Sequence, residues 1–174
     1  PDDEAITTGG SIAALVAAGV DVRVVTCTLG EEGEVLGEDY AGLVADRADQ
    51  LGGYRIGELA VSLRALGVDR PRFLGGAGRW RDSGMAGAAS ARHPRAFVGS
   101  GREAVEEMAS LLDGWRPHLL VTYDPRGGYG HPDHIRVHEV VRAALDEAGH
   151  RPRRMAWTVT ARSDVSRRHP VGPL

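Results

Sequence analysis

The sequence predicts an α/β fold of Rossmann-like type, a largely parallel sheet with helices on both faces. Three observations lead there. Short β-branched runs alternate with stretches of helical periodicity, the pattern of repeated strand–helix–strand units. The runs are bounded by glycine, proline and aspartate, as buried strands are. The most chemically loaded residues fall where a strand hands over to a helix, the edge at which such sheets bind ligands.

Taken in order, Ile12, Leu15 and Val16 recur at helical spacing and Gly19 stops that first helix. Val22 to Cys27 is β-branched and reads as a buried strand. From about Tyr40 to Leu66 the pattern is helical, with Gly52-Gly53 as a break or close-packing point and Gly67 as the stop. Phe73-Leu74 reads as a short second strand, and residues 76–100 as a long glycine-rich loop. A helix is expected from about Arg102 to Trp115, then the strand Leu119 to Tyr123, ended by Asp124-Pro125. Pro132 opens a helix with Val137, Val140, Val141 and Ala144 on one side. The alternation of Met155, Trp157 and Val159 gives a last strand. One core is thus expected over residues 1–162, followed by an unpatterned, arginine-rich tail over 163–174. The chain opens on Pro1-Asp2-Asp3-Glu4 and a helix with no strand before it, so the natural protein is expected to extend upstream.

Composition narrows the function. With 174 residues, 42% apolar and 26% charged, the chain suits one soluble domain with a real core. A net charge of -3 forces no basic face, so a nucleic-acid partner is not expected. All 21 basic side chains are arginine, which excludes lysine Schiff-base and P-loop chemistry. The single Cys27 excludes an internal disulfide framework and reads as a buried core thiol. No apolar stretch is long enough to span a membrane and no charged-then-apolar leader opens the chain, so no membrane partner and a cytoplasmic location are expected. Trp115 and Trp157 are expected in the core, and His118 in a structural role.

Two constellations carry chemistry. Asp2 and Asp3 stand at a helix N-terminus, where a capping role is the plain alternative. Tyr129-Gly130-His131-Pro132-Asp133-His134 sits between a strand's carboxyl end and a helix start, where surface histidines in a turn are the plain alternative. Together they offer the N and O donors of a catalytic metal site, which needs three protein ligands and one open position. A second carboxylate beside a ligand suits a general base, and a nearby histidine an acid or oxyanion partner. The residues supply one aspartate and one histidine ligand; the third is not obvious.

Pro1-Asp2-Asp3-Glu4 resembles the end of the His-Pro-Asp-Asp-Glu motif of the LmbE/PIG-L family of zinc deacetylases, and Tyr129 to His134 resembles its second motif. The resemblance runs over roughly residues 1–145, through Val25 to Glu34, Asp49 to Arg55 and Leu74 to Met85. Those runs look like the actinobacterial branch that deacetylates N-acetylglucosaminyl-inositol in the mycothiol pathway. The resemblance implies zinc as cofactor, with other divalent metals able to substitute, and a small amino-sugar inositol glycoside as partner. By position, Asp3 and His134 correspond to metal ligands, Asp2 to the general base and His131 to the oxyanion-stabilising or acid histidine. Asp133 would orient His131 or the metal site, and Tyr129 resembles a mobile tyrosine at the carbonyl. Arg55 and Asp82 correspond to residues holding sugar or inositol hydroxyls, with Glu34 and Met85 near the same pocket. The family's first ligand is the histidine before the proline that is Pro1 here, and the similarity fades after Gly149. A related S-conjugate amidase is the nearest rival, but it carries a lysine where Thr7 and Thr8 stand. A non-catalytic glycoside-binding domain is the rival of another class.

Overall fold

The computed structural model describes residues 1–159; the expected tail, and the last residues of the expected core, lie outside them. Helix α1 spans Asp3–Ala17 and ends at Gly19, whose φ of 79° needs a residue without Cβ. The next strand is shorter than its sequence promises. Only Val25–Thr26 form β1, because among the described residues the strand pairs there only with the parallel β2, Arg72–Phe73. Val22 and Val24 pack instead as apolar links beneath α1 and α2.

Helix α2, Leu51–Ala65, is also shorter than the helical pattern from Tyr40. Residues 40–50 form a single 3-10 turn, Ala41–Leu43, and loop, and Asp49 at φ 52° breaks any continuous helix. Gly52 is a close-packing point, since a Cβ there would stand 2.8 Å from Glu31 Cγ. Strand β2 begins one residue before the expected Phe73-Leu74 run. The long loop from 76 to 100 is anchored rather than loose: Trp80, Ala96 and Phe97 are buried in it, with the Trp80 and Phe97 rings edge to face at 6.3 Å.

Helix α3, Gly101–Trp115, leads into β3, Leu119–Tyr123. A single turn, α4 (Gly127–Gly130), precedes α5, Pro132–Glu147, which opens with proline in its first turn. Strand β4, Arg154–Thr158, pairs parallel with β3 in register Leu119 to Arg154 through Tyr123 to Thr158. The parallel strands are as expected, but among the described residues they form two two-stranded sheets rather than one continuous sheet.

Two apolar clusters hold the elements. Met108 and Leu112 of α3 meet Val140, Val141 and Ala144 of α5 over Leu74 and Phe97. The second cluster joins Ile12 of α1 to Leu59 and Leu63 of α2 and to Val68. Trp157, expected in the core, is 47% exposed, although its ring meets His138 of α5 edge to face; Trp115 is half-buried, with Arg23 over its ring. Cys27 packs against the larger cluster, where burial pushes its thiol up to about 12. No described helix is long and apolar enough to cross a membrane.

Candidate metal and catalytic site

The start of α1, the carboxyl end of β3 and the start of α5 converge at one place. Asp3 Oδ2 stands 3.0 Å from His134 Nε2. Two donors on one tetrahedral ion at about 2.0–2.2 Å stand about 3.3–3.6 Å apart, so a small widening of this N/O pair would admit a shared divalent metal. The Nδ1 of His134 is 3.3 Å from the Gly127 carbonyl, which aims Nε2 at Asp3. Gly127 must be glycine for that approach: at φ 63°, a Cβ would lie 2.7 Å from Ile135 N and 2.9 Å from His134 Cβ. The His134 hydrogen bond, opposed by burial, holds Asp3's carboxyl below its ordinary value. Among the described residues no group of three or more His, Cys, Asp or Glu could hold a metal, so these residues offer the pair alone.

Asp2 does not cap α1. Its side chain makes no capping bond and its φ is 98°, a strained value for a residue with a Cβ. Arg55 explains the pose: from α2 it donates to the Pro1 carbonyl at 2.7 Å, to Asp2 Oδ2 at 2.7 Å and to the Gly30 carbonyl at 3.3 Å. Glu4 accepts from the Asp2 backbone N–H at 3.1 Å. Arg55 is therefore not a solvated helix-surface arginine, being only 16% exposed, and in this state it grips the aspartate rather than facing open space.

His131 is the N-cap of α5, and its Nδ1 accepts from the Asp133 backbone N–H at 3.1 Å. In the neutral ring the proton therefore sits on Nε2, an assignment made from this geometry. Burial, helped by His134, lowers His131's pKa and keeps the ring neutral. The His131 and His134 rings stack at 4.6 Å. Asp133, expected to orient His131 or the metal site, meets His131 through its backbone N–H. Its carboxylate instead accepts from the Ser83 backbone N–H at 2.9 Å, the donor that the buried loop brings nearest. Burial pushes that carboxyl up to about 6, Ser83 opposing and the Asp82 charge adding to the rise.

Tyr129 is 69% exposed and lies edge-on to His131 at 6.0 Å and His134 at 5.3 Å. Burial first, then Asp3, Asp2 and Asp82, raise its phenol, so it stays a hydrogen-bond donor at neutral pH. Asp82 is buried and pairs with no arginine among the described residues; its Oδ1 accepts from Gly84 N–H at 2.8 Å and its own N–H donates to Glu31 Oε2 at 3.1 Å. Its charge acts on His131 and Tyr129, which puts it beside the motif residues. Glu34 is exposed and Met85 is 53% exposed, and neither has a side-chain bond among the described residues. An open cleft of about 540 Å³ lined by Glu32, Asp49, Arg81, Ser90 and His93 contains none of the motif residues.

Three residues escaped the sequence reading. Tyr123 reads as a strand residue, yet its hydroxyl donates to Asp3 Oδ2 at 2.8 Å. Glu31 is buried beneath Gly52 and sets the Asp82 backbone, and Ser83 holds Asp133. Tyr123 had a usable signal, its place at a strand's carboxyl end just before the motif loop; the other two had none.

The sequence pattern of the family described as "PIG-L: GlcNAc-PI de-N-acetylase" matches residues 1–145. A 1D-myo-inositol 2-acetamido-2-deoxy-alpha-D-glucopyranoside deacetylase of Nocardia farcinica is 64% identical over 173 residues, 97% of this chain and 57% of the relative. The protein of the same description in Mycobacteroides abscessus is 61% identical over 164 residues, 94% of this chain and 58% of its own. The chain thus spans less than three-fifths of the length of these curated relatives. Among solved structures, N,N'-diacetylchitobiose deacetylase from Pyrococcus horikoshii superposes with a TM-score of 0.63 at 26% identity, over 84% of this chain and 46% of that one. The conserved protein TT1542 from Thermus thermophilus shares the fold at TM-score 0.62 and 23% identity, over 99% of this chain and 65% of its own. With its paired motifs brought together and its match through residue 145, the chain belongs to the PIG-L family.

Proposed function

We propose that these residues form most of the active centre of a cytoplasmic, zinc-dependent deacetylase that hydrolyses the acetamide of N-acetylglucosaminyl-inositol in the mycothiol pathway. The observation that carries the reading is the meeting of Asp3 Oδ2 and His134 Nε2 at 3.0 Å beside an aspartate held off its helix by Arg55. The names of the relatives, deacetylases of an inositol 2-acetamido-glucoside, support the substrate.

Asp3 and His134 would hold the metal, which when bound polarises the acetyl carbonyl and makes water a stronger acid. Asp2 takes the proton that the attacking water gives up, and Arg55 fixes the carboxylate that receives it. His131 presents Nε2–H to the carbonyl oxygen as that oxygen gains charge, and the neutral Tyr129 hydroxyl closes over the same place from a turn of glycines. The C–N bond breaks as the nitrogen takes up the proton from Asp2, giving acetate and the free amine. Asp82, Glu34 and Met85 lie toward the sugar and inositol, and Asp82 is held ready by Glu31 and Gly84.

The test is acetate release from N-acetylglucosaminyl-inositol by the full-length protein, with chelator and with zinc restored. Release that chelation stops and zinc restores is the expected result. A folded, zinc-loaded protein that frees no acetate overturns the assignment, and release only from mycothiol S-conjugates would move it to the amidase.

A further inference from the structure

We propose that Tyr123 is a positioning residue for the metal pair, fixing both ligands at once from the end of β3. The inference rests on the metal-dependent reading above and adds a residue to it. Its hydroxyl donates to Asp3 Oδ2 at 2.8 Å, the same oxygen that faces His134 Nε2 at 3.0 Å. Its ring lies flat on the His134 imidazole, centroids 4.0 Å apart and planes 7° from parallel. One side chain therefore sets the rotation of the carboxylate and the plane of the imidazole, the two freedoms that decide whether their donor atoms converge. Asp3 has no other side-chain donor besides Tyr123 and His134 among the described residues.

Tyr123 is itself held from behind. Its carbonyl is 3.0 Å from Nδ1 of His138, one turn further along α5 than His134, and the His138 ring stands edge to face on Trp157 of β4 at 5.6 Å. Its register partner across the sheet is Thr158. The phenol is thus tied by its backbone to the helix that carries His134 and by its hydroxyl to the helix that carries Asp3. A residue that only filled space would need the ring but not the hydroxyl.

That difference is the experiment. Tyr123→Phe keeps the stacked ring and removes the hydroxyl; Tyr123→Leu removes both. In the full-length protein, zinc affinity is measured by competition with a chelating dye, beside melts of the metal-free forms and kcat and KM on the acetylated glycoside. The Phe variant is expected to melt near wild type without metal, to bind zinc roughly 10–100-fold more weakly and to lose kcat with KM little changed. The Leu variant is expected to bind zinc more weakly still. A folded Phe variant with wild-type zinc affinity overturns the inference while leaving the metal reading intact. A Leu variant that is destabilised yet binds zinc as wild type also overturns it, since Tyr123 would then serve packing alone. A wild-type protein that binds no divalent metal overturns the reading and, with it, the inference.

Discussion

Adjacent aspartates at the start of α1 divide their work because the backbone turns sharply between them. Asp2 sits at φ 98° and points to Arg55, while Asp3 enters the helix and points to His134. Holding a Cβ-bearing residue in that region costs about 1–3 kcal/mol, offset here by three hydrogen bonds from one guanidinium. Asp2→Asn is therefore expected to lower kcat by roughly 10²–10⁴-fold with zinc content unchanged, as elemental analysis beside acetate release will show. Loss of zinc along with activity would make Asp2 a ligand and contradict the division. Arg55→Met is expected to lower kcat in the same direction, since the base survives but its grip does not. At this scale the sequence was legible where function is local: four of the decisive residues lie in two short runs, Asp2-Asp3 and His131 to His134. Arg55's attachment to Asp2 and Tyr123's to Asp3 join residues far apart in the chain, and no periodicity encodes such contacts.

Elements position these side chains through close approaches that tolerate few substitutions. The turn before α5 runs through Gly127, Gly128 and Gly130, all at positive φ, and only Gly127 is pressed against the helix it precedes. Gly127→Ala is expected to displace His134 and weaken zinc binding while helix content by circular dichroism stays native; tight zinc binding in that variant would show that the turn does not aim the ligand. The loop between β1 and α2 is fixed differently, by a buried arginine. Arg81 donates to Asp49 at 2.7 and 3.0 Å and to Glu32 at 3.1 Å. Those bonds hold Asp49's carboxyl below the usual carboxylate range, so in acid the folded protein binds fewer protons than the unfolded chain. The stabilisation is then complete above the unfolded carboxylate pKa and lost as pH falls through the lower, folded one. Asp49 is 47% exposed, so its share is about 1 kcal/mol or less. Asp49→Asn is expected to flatten that part of the acid limb in melts taken over a pH series, and an unchanged limb would place the loop's anchor elsewhere. The expectation of helix from Tyr40 failed at this same loop, where Asp49's left-handed backbone and its tie to Arg81 override a helical pattern.

At the scale of the whole fold, the proposed metal site takes one residue from a helix of each apolar cluster. Asp3 rides on α1, which packs on α2 through Ile12, Leu59 and Leu63. His134 rides on α5, which packs on α3 through Val140, Val141 and Met108. Strands that were expected to run in one sheet stand as two pairs, β1 with β2 and β3 with β4, and the β1–β2 region sends Val25 and Leu74 to the larger cluster and Val24 and Phe73 to the smaller. A metal held by Asp3 and His134 would add a tie between the two clusters, and ligands that bind only the folded state stabilise it by mass action. With free zinc at 100 times its Kd the gain is about 2.7 kcal/mol, which for a chain of this size raises Tm by roughly 5–11 °C. Chelator should remove that increment and zinc restore it. Asp3→Asn should melt at the same temperature with and without zinc, because an amide oxygen is a far poorer ligand than the carboxylate it replaces. A wild-type Tm indifferent to zinc and chelator would mean that the 3.0 Å approach of Asp3 to His134 is a contact sufficient to itself. A zinc-dependent rise that survives in Asp3→Asn would place the stabilising metal at another site. The melt separates these cases without any substrate, so it tests how the fold is joined independently of what the site cleaves.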